Sequence, residues 1–240
     1  MIAWRSFGAS VIGPGHIASR LPNQDAWIAF HDVRADGIAV SDGLGSKPFS
    51  DLGSCAACRA VALAVRAASR ASYADTDKAK LIDCIVNKWI ALLSPLPPQD
   101  CAATCLFGVR IRDSILVGML GDGLAAAIKT DGSIELLTDK KEHGFSNLTA
   151  ALSPKTTAVV WQWLECGAEE CHAIVLCTDG VADDLDDCTG FVKEFFAAHR
   201  NLASVSASRR TRKMLERWPT PKHSDDKTIA CLCREEASYE

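Results

Sequence analysis

Three apolar runs in this sequence end in the same dipeptide. Ile38-Ala39-Val40-Ser41 runs into Asp42-Gly43, the stretch from Ile115 to Gly121 into Asp122-Gly123, and Ile174-Val175-Leu176-Cys177-Thr178 into Asp179-Gly180. Small and β-branched apolar residues carry a strand inward, and a glycine after the aspartate leaves the backbone free to turn. Each carboxylate is thereby delivered at a strand end, which is a good place to hold a metal. Turn propensity alone accounts poorly for three such junctions. A fourth, Asp131-Gly132, sits midway between two short strand-like runs, as a hairpin turn does.

The rest of the chain supplies a frame for those strands. Trp4 to Ile12 reads as a strand ending at Gly13-Pro14-Gly15, followed by a loop that carries His16, Arg20 and Pro22-Asn23-Gln24-Asp25. Ala26 to His31 pairs with Gly37 to Ser41 as a hairpin. Asp51 or Ser54 is expected to cap an alanine-rich helix through about Ala71. A second helix, starting near Asp75-Thr76, puts Leu81, Ile85, Trp89 and Leu92 on one face until Pro95, Pro97 and Pro98 end it. From Cys101 the period becomes that of strands, and Ala102 to Ile111, Ile115 to Leu120, Ala125 to Thr130 and Ser133 to Leu137 are expected to form one antiparallel meander. Asp139 to Pro154 reads as a surface loop, Thr156 to Leu164 as a strand with Trp161 and Trp163 on one face, and His172 to Cys177 as a buried strand. Helices over Cys188 to His199 and Ala203 to Trp218 precede a last strand, Thr228 to Cys233. This alternation predicts an α+β protein of antiparallel sheets covered by helices. With 240 residues, 48% of them hydrophobic, a single domain is expected, with 235–240 as a flexible tail.

Composition removes several function classes. A net charge of -4 gives no global reason to expect nucleic acid or an acidic membrane surface. No run of about 18 uncharged apolar residues is present, so no membrane span is expected. Met1-Ile2-Ala3-Trp4-Arg5 lacks the basic start and apolar core of a secretory signal, which makes the cytoplasm the expected compartment. Eleven cysteines are then expected to stay reduced. Cys55-Ala56-Ala57-Cys58 has zinc-knuckle spacing, but no second such pair answers it and a helical pattern surrounds it. The other cysteines, mostly in strand-like runs, read as small core hydrophobes. Arg209, Arg210, Arg212, Lys213 and Arg217 form a basic helix segment, read as a solvated face rather than a phosphopeptide or nucleic-acid contact.

Asp25, Asp42, Asp179 and Asp225 each sit at the edge of a strand-like run, and if they converge without cations their mutual repulsion is costly. Divalent metals remove that cost. Oxygen-only ligands without clustered histidine or cysteine favour hard ions, Mg²⁺ or Mn²⁺.

Six pieces of the chain, taken in order, resemble the motifs of the metal-dependent protein phosphatases, the protein phosphatase 2C family. They are Arg20-Leu21-Pro22-Asn23-Gln24-Asp25, Asp42-Gly43 with Gly45, Thr104 before a strand, Gly121-Asp122-Gly123, Thr178-Asp179-Gly180 with Asp183, and Asp225-Asp226 with Thr228. Asn147-Leu148-Thr149 adds a seventh likeness. The resemblance implies a four-layer α-β-β-α sandwich of two antiparallel sheets flanked by helices, with a binuclear centre of Mn²⁺ or Mg²⁺. It implies that Asp42 bridges both ions, that Gly43 offers its carbonyl, that Asp179 and Asp225 ligate one ion, and that Asp25 acts directly or through water. Asp122 and Asp183 match the positions of a third, weaker ion, and Arg20 matches a bidentate phosphate clamp. The implied reaction is hydrolysis of phosphoserine and phosphothreonine in proteins by direct attack of a metal-activated water, in a monomer that opposes a cognate kinase.

The chain also departs from that pattern. Leu44 stands where many members have a histidine proposed to protonate the leaving group, and His16 on the Arg20 loop is the candidate replacement. Gln24 replaces a common glutamate, which predicts weaker binding of the second ion. Asp226 replaces a common asparagine and is expected to hydrogen-bond within its loop. The competing reading is a non-catalytic relative that binds a partner such as a kinase. A binding-only descendant has no need of the carboxylates and the arginine kept here.

Overall fold

The computed structural model describes residues 3–70, 77–138, 150–219 and 224–235. Ten strands form two five-stranded antiparallel sheets. The first has the order β1 (Trp4–Val11), β10 (Lys227–Arg234), β9 (Cys171–Cys177), β6 (Leu124–Lys129) and β7 (Ile134–Thr138). The second runs β2 (Asp25–Asp32), β3 (Ala35–Asp42), β4 (Cys105–Ile111), β5 (Ser114–Leu120) and β8 (Gln162–Gly167). The sheets stack through Ile38, Val40, Leu106, Val117, Ile174, Leu176, Ala230 and Leu232, all inaccessible to solvent. Alternation along each strand sends the intervening residues outward, where helices cover them.

Helices α2 (Ser50–Arg70) and α3 (Lys78–Leu93) lie on the second sheet, and their Val61, Val65, Ile82, Ile85 and Trp89 share a core with Phe107 and Val109. Helices α5 (Cys188–His199) and α6 (Ser204–Glu216) cover the first sheet, packing Val192, Phe195 and Leu215 against Phe7, Val175 and Ile229. The result is the expected four-layer sandwich. By length and composition alone α2 is apolar enough to cross a membrane, but 61% of its apolar window is buried inside the protein, as befits a central core helix.

Several expectations are corrected. The supposed meander is two hairpins in different sheets: β4 pairs with β5 in the second and β6 with β7 in the first. Gly121 and Gly123, at φ 100° and 118°, take left-handed backbone between β5 and β6, and the chain crosses layers instead of doubling back. Part of the expected loop after β1 is a short helix, α1 (Pro14–Ser19), with proline in its first turn where no N–H is needed. Neither Asp51 nor Ser54 caps α2, which begins at Ser50 with Asp51 in its first turn. Asp77 caps α3 by accepting from the amides of Ala79 and Lys80; Asp75 and Thr76 lie outside the described residues. Asp131-Gly132 is the expected hairpin turn, with Gly132 at φ 87°. Most of the expected 139–154 loop, including Asn147-Leu148-Thr149, lies outside the described residues, as does 236–240. Glu235, placed in the tail by sequence, donates its amide to the Ala3 carbonyl at 2.9 Å.

Candidate metal centre

Both sheets contribute to one end of the sandwich. Asp25 opens β2 and Asp42 closes β3, and the ladder puts the two opposite each other. From the first sheet, Asp179 follows β9 as the first residue of α4 (Asp179–Ala182), and Asp225 stands two residues before β10. Gly180 is required here, since a Cβ on it would lie 1.9 Å from the Asp226 carbonyl oxygen; its absence lets the start of α4 close on the 224–226 turn. Asp122 occupies the crossing between the sheets, and Asp183 ends the single turn of α4, its amide bonded to the Asp179 carbonyl.

The carboxylates are close enough to raise one another's affinity for protons. Asp42 is pushed up to about 11, first by burial and then by the charges of Asp25, Asp179 and Asp225. Asp179 rises to about 6 through burial and the charges of Asp122, Asp225 and Asp183. Asp25 rises to about 7 because burial outweighs hydrogen bonds from Thr178 and Thr228, with Asp226 and Asp179 adding repulsion. No basic side chain is among the leading influences on any of the three. The four aspartates assigned to the main site and the two assigned to a third ion thus form one electrostatic cluster. An all-oxygen cluster short of positive charge has the donor chemistry of a site for hard divalent cations.

Threonines and Asp226 hold the carboxylates in place. The Thr178 hydroxyl donates to Asp25 Oδ2 at 2.7 Å and accepts the Thr228 amide at 3.1 Å, tying β2 to β9 and β10 across the two sheets. Thr104 Oγ1 accepts the Asp42 amide at 2.9 Å, while the Thr104 amide donates to the Asp42 carbonyl at 2.8 Å. Asp226 is buried and accepts the Gly13 amide, the Gln24 amide and His16 Nδ1 at 2.6, 2.6 and 2.8 Å. Those bonds fold the 13–24 segment onto the start of β10. Gln24 returns the link by accepting the Gly43 amide at 3.1 Å.

His16, Asp225 and Asp226 bring donor atoms within 4.8 Å of one another, a spacing open to a metal. His16 Nδ1 and both Asp226 oxygens are already spent on the contacts above, and Asp225 Oδ1 accepts the Asp226 amide at 2.8 Å, so this trio reads as an anchor for the 13–24 segment. Arg20 ends α1 in left-handed backbone, φ 57°, with an exposed guanidinium that has no hydrogen bond or ion pair among the described residues. Sequence reasoning quoted Thr104, Thr178 and Thr228 as motif letters without finding their contacts. It missed Lys227, a buried lysine whose Nζ donates to the Asp225 carbonyl at 3.1 Å. A lysine set between Asp225-Asp226 and the last strand was the available signal.

A cavity of about 560 Å³ adjoins Asp225, lined by Ser10, Asn23, Arg212 and Lys227 among others. A larger one, about 760 Å³, lies between α5 and α6 beside Arg209, Arg210, Lys213 and Arg217, and none of the six aspartates lines it.

Comparison with known sequences bears on what this cluster is. The profile of the protein phosphatase 2C family matches residues 12–217. The chain belongs to the protein phosphatase 2C family. It is thus a metal-dependent protein phosphatase. No curated protein sequence matches it. Among solved structures it is similar to the catalytic domain of the serine threonine protein phosphatase PstP in complex with two manganese ions, at 15% identity, TM-score 0.64, and coverage of 98% of this chain and 100% of that one. RsbX in complex with magnesium matches at 17% identity and TM-score 0.60, covering 98% and 100%. Stp1 from Staphylococcus aureus matches at 13% and 0.65, covering 97% and 95%. At these identities the likeness is one of fold.

Proposed function

We infer that this phosphatase hydrolyses phosphoserine and phosphothreonine monoesters in proteins, with two Mn²⁺ or Mg²⁺ ions held by Asp42, Gly43, Asp179, Asp225 and Asp25. The observation that carries the reading is the convergence of mutually repelling aspartates, with no basic side chain among the leading influences on Asp42, Asp179 or Asp25. Asp42, which feels charge from both sheets, is the bridge. Asp122 and Asp183 serve a third, weaker site. When bound, such ions supply an activated water and offset charge on the phosphoryl oxygens. Arg20, whose guanidinium is exposed and unengaged, receives phosphate oxygens in bidentate fashion. His16 is a positioning residue in this account: through Asp226 it fixes the segment that carries Arg20. With Leu44 beside Gly43, the 42–46 turn carries no histidine to protonate the leaving group.

A monomer in the cytoplasm, acting on the products of a cognate kinase and not on nucleic acid, completes the proposal. The eleven free cysteines support the compartment. Turnover of a generic aryl phosphate and of a phosphothreonine peptide, each with Mn²⁺ and with excess chelator, tests the reading. Activity with Mn²⁺ and none with chelator is expected; full turnover in chelator overturns it.

A further inference from the structure

The turn between β8 and β9 carries two thiols. Cys166 lies one residue from the end of β8 in the second sheet and Cys171 opens β9 in the first, so the connection that changes sheet puts one cysteine on either side of itself. Both side chains belong to the apolar layer between the sheets, near enough that each thiol alters the other's affinity for protons, and the Cys171 thiol donates to the Ala173 carbonyl at 3.5 Å. Lys129, the last residue of β6, stands opposite Cys171 in the β6–β9 ladder, just past a register irregularity. Its ammonium sits 3.5 Å from Glu135 Oε1 and close enough to Cys166 to favour that residue's thiolate. Lys129 is itself largely covered, its side chain 12% exposed, so it keeps its charge close to the thiol.

Cys231 and Cys233 also influence each other, but there burial prevails and the Cys231 thiol is pushed up. Burial pushes the Cys58, Cys105 and Cys177 thiols up with no cation to oppose it. Cys166 is pushed down to about 6, first by the Cys171 thiol and then by Lys129, which together outweigh burial. Cys171, sealed from solvent, is pushed up by Cys166 and by burial. Cys166 is partly exposed and lines a cavity of about 280 Å³ together with Ser114, Leu116 and Glu165. One thiol is therefore activated and reachable, and its neighbour is shielded and near.

We propose that Cys166 and Cys171 form a peroxide-sensitive dithiol that closes to a reversible disulfide. The Cys166 sulfur attacks one peroxide oxygen, the O–O bond breaks, and the departing hydroxide takes a proton to leave as water, giving a sulfenic acid. Cys171 sulfur then attacks that sulfur, the S–O bond breaks, and the Cys171 proton leaves with hydroxide as a second water. Two electrons pass from the thiols to the peroxide, and a thiol reductant restores them. Cys171 begins β9 whereas Asp179 follows its other end, roughly 20 Å away at the rise of a strand. The dithiol is thus a site separate from the metal centre.

The test uses the full, folded chain, reduced and then exposed to a small excess of hydrogen peroxide, with free thiols alkylated before digestion and mass spectrometry. The expected product is a 166–171 crosslink, a loss of two hydrogens reversed by dithiothreitol, formed while the other nine cysteines still alkylate. In Cys171→Ser the sulfenic acid is expected to persist and to be trapped at Cys166 by dimedone. Lys129→Met is expected to slow the oxidation severalfold. Oxidation first at exposed Cys55, sulfinic acid at Cys166 without a crosslink, or equally fast crosslinking in urea would each overturn the proposal.

Discussion

Strand β3 carries two aspartates of opposite fate. Asp36, near its start, accepts Arg110 Nε at 2.7 Å, lies 2.6 Å from Arg110 Nη2 and bonds His31 Nδ1 at 2.8 Å. Burial pushes its carboxyl up, but the bonds and charges of His31 and Arg110 win, and it ends below the usual carboxylate range. Asp42, six residues on, faces Asp25, Asp179 and Asp225 and is pushed up to about 11. The same fold supplies counter-charge to one carboxylate and withholds it from the other. A carboxylate whose partners are in the chain is structural; one surrounded by its own kind lacks an internal counter-charge, and in the proposed function metal ions supply it.

Exchanging each acid for its amide sharpens the contrast most. Asp42→Asn is expected to cost roughly a thousandfold or more in turnover, since it removes charge from both proposed ions. Mn²⁺-dependent kinetics measure that loss, and thermal unfolding is expected to show an intact fold. Asp36→Asn should do the reverse. With Arg110 left short of a partner, stability is expected to fall by about 2–3 kcal/mol, read by denaturant unfolding, while turnover per folded molecule holds. An Asp42→Asn variant that lost activity only by unfolding would erase the distinction.

Arg20→Ala is expected to raise KM about tenfold or more and leave Mn²⁺ affinity unchanged, because the guanidinium meets phosphate rather than ions. An unchanged KM would put the phosphate clamp elsewhere.

A smaller effect concerns pH. Asp25, Asp179 and Asp42 hold protons in the folded, metal-free protein to about 7, 6 and 11, against 3.8 for the unfolded groups. The native state therefore binds more protons than the unfolded one above about pH 4, and stability falls as pH rises through that window. The Tm of the metal-free protein is expected to drop by several degrees between about pH 5 and pH 8. Mn²⁺ at pH 8 should restore it. A flat profile would mean that the carboxylates are farther apart in solution.

Strand ends and the Asp-Gly junctions were legible because they rest on local chemistry: an apolar run, then an acid, then a residue that can turn. The sheet to which a strand belongs was not, since β4 to β7 read alike in either arrangement and the choice turned on the backbone at Gly121 and Gly123. Motif order picked out the acids, and it could suggest that Asp226 hydrogen-bonds in its loop. It could not show that Asp226 gathers Gly13, His16 and Gln24, partners some 200 residues distant. Thr178 likewise finds Asp25 across 153 residues. Such contacts follow from topology, which periodicity does not encode.

Calorimetric titration of Mn²⁺ into the metal-free protein near pH 7.5, repeated in buffers of different ionisation enthalpy, tests the central claim most directly. Wild type and Asp36→Asn are expected to bind two ions, the first tightly and the second more weakly, and to release protons as they do, because Asp42 must give up its proton to become a ligand. Asp42→Asn is expected to bind weakly and to release fewer. Tight binding by Asp42→Asn, or binding by wild type with no proton release, would contradict the account.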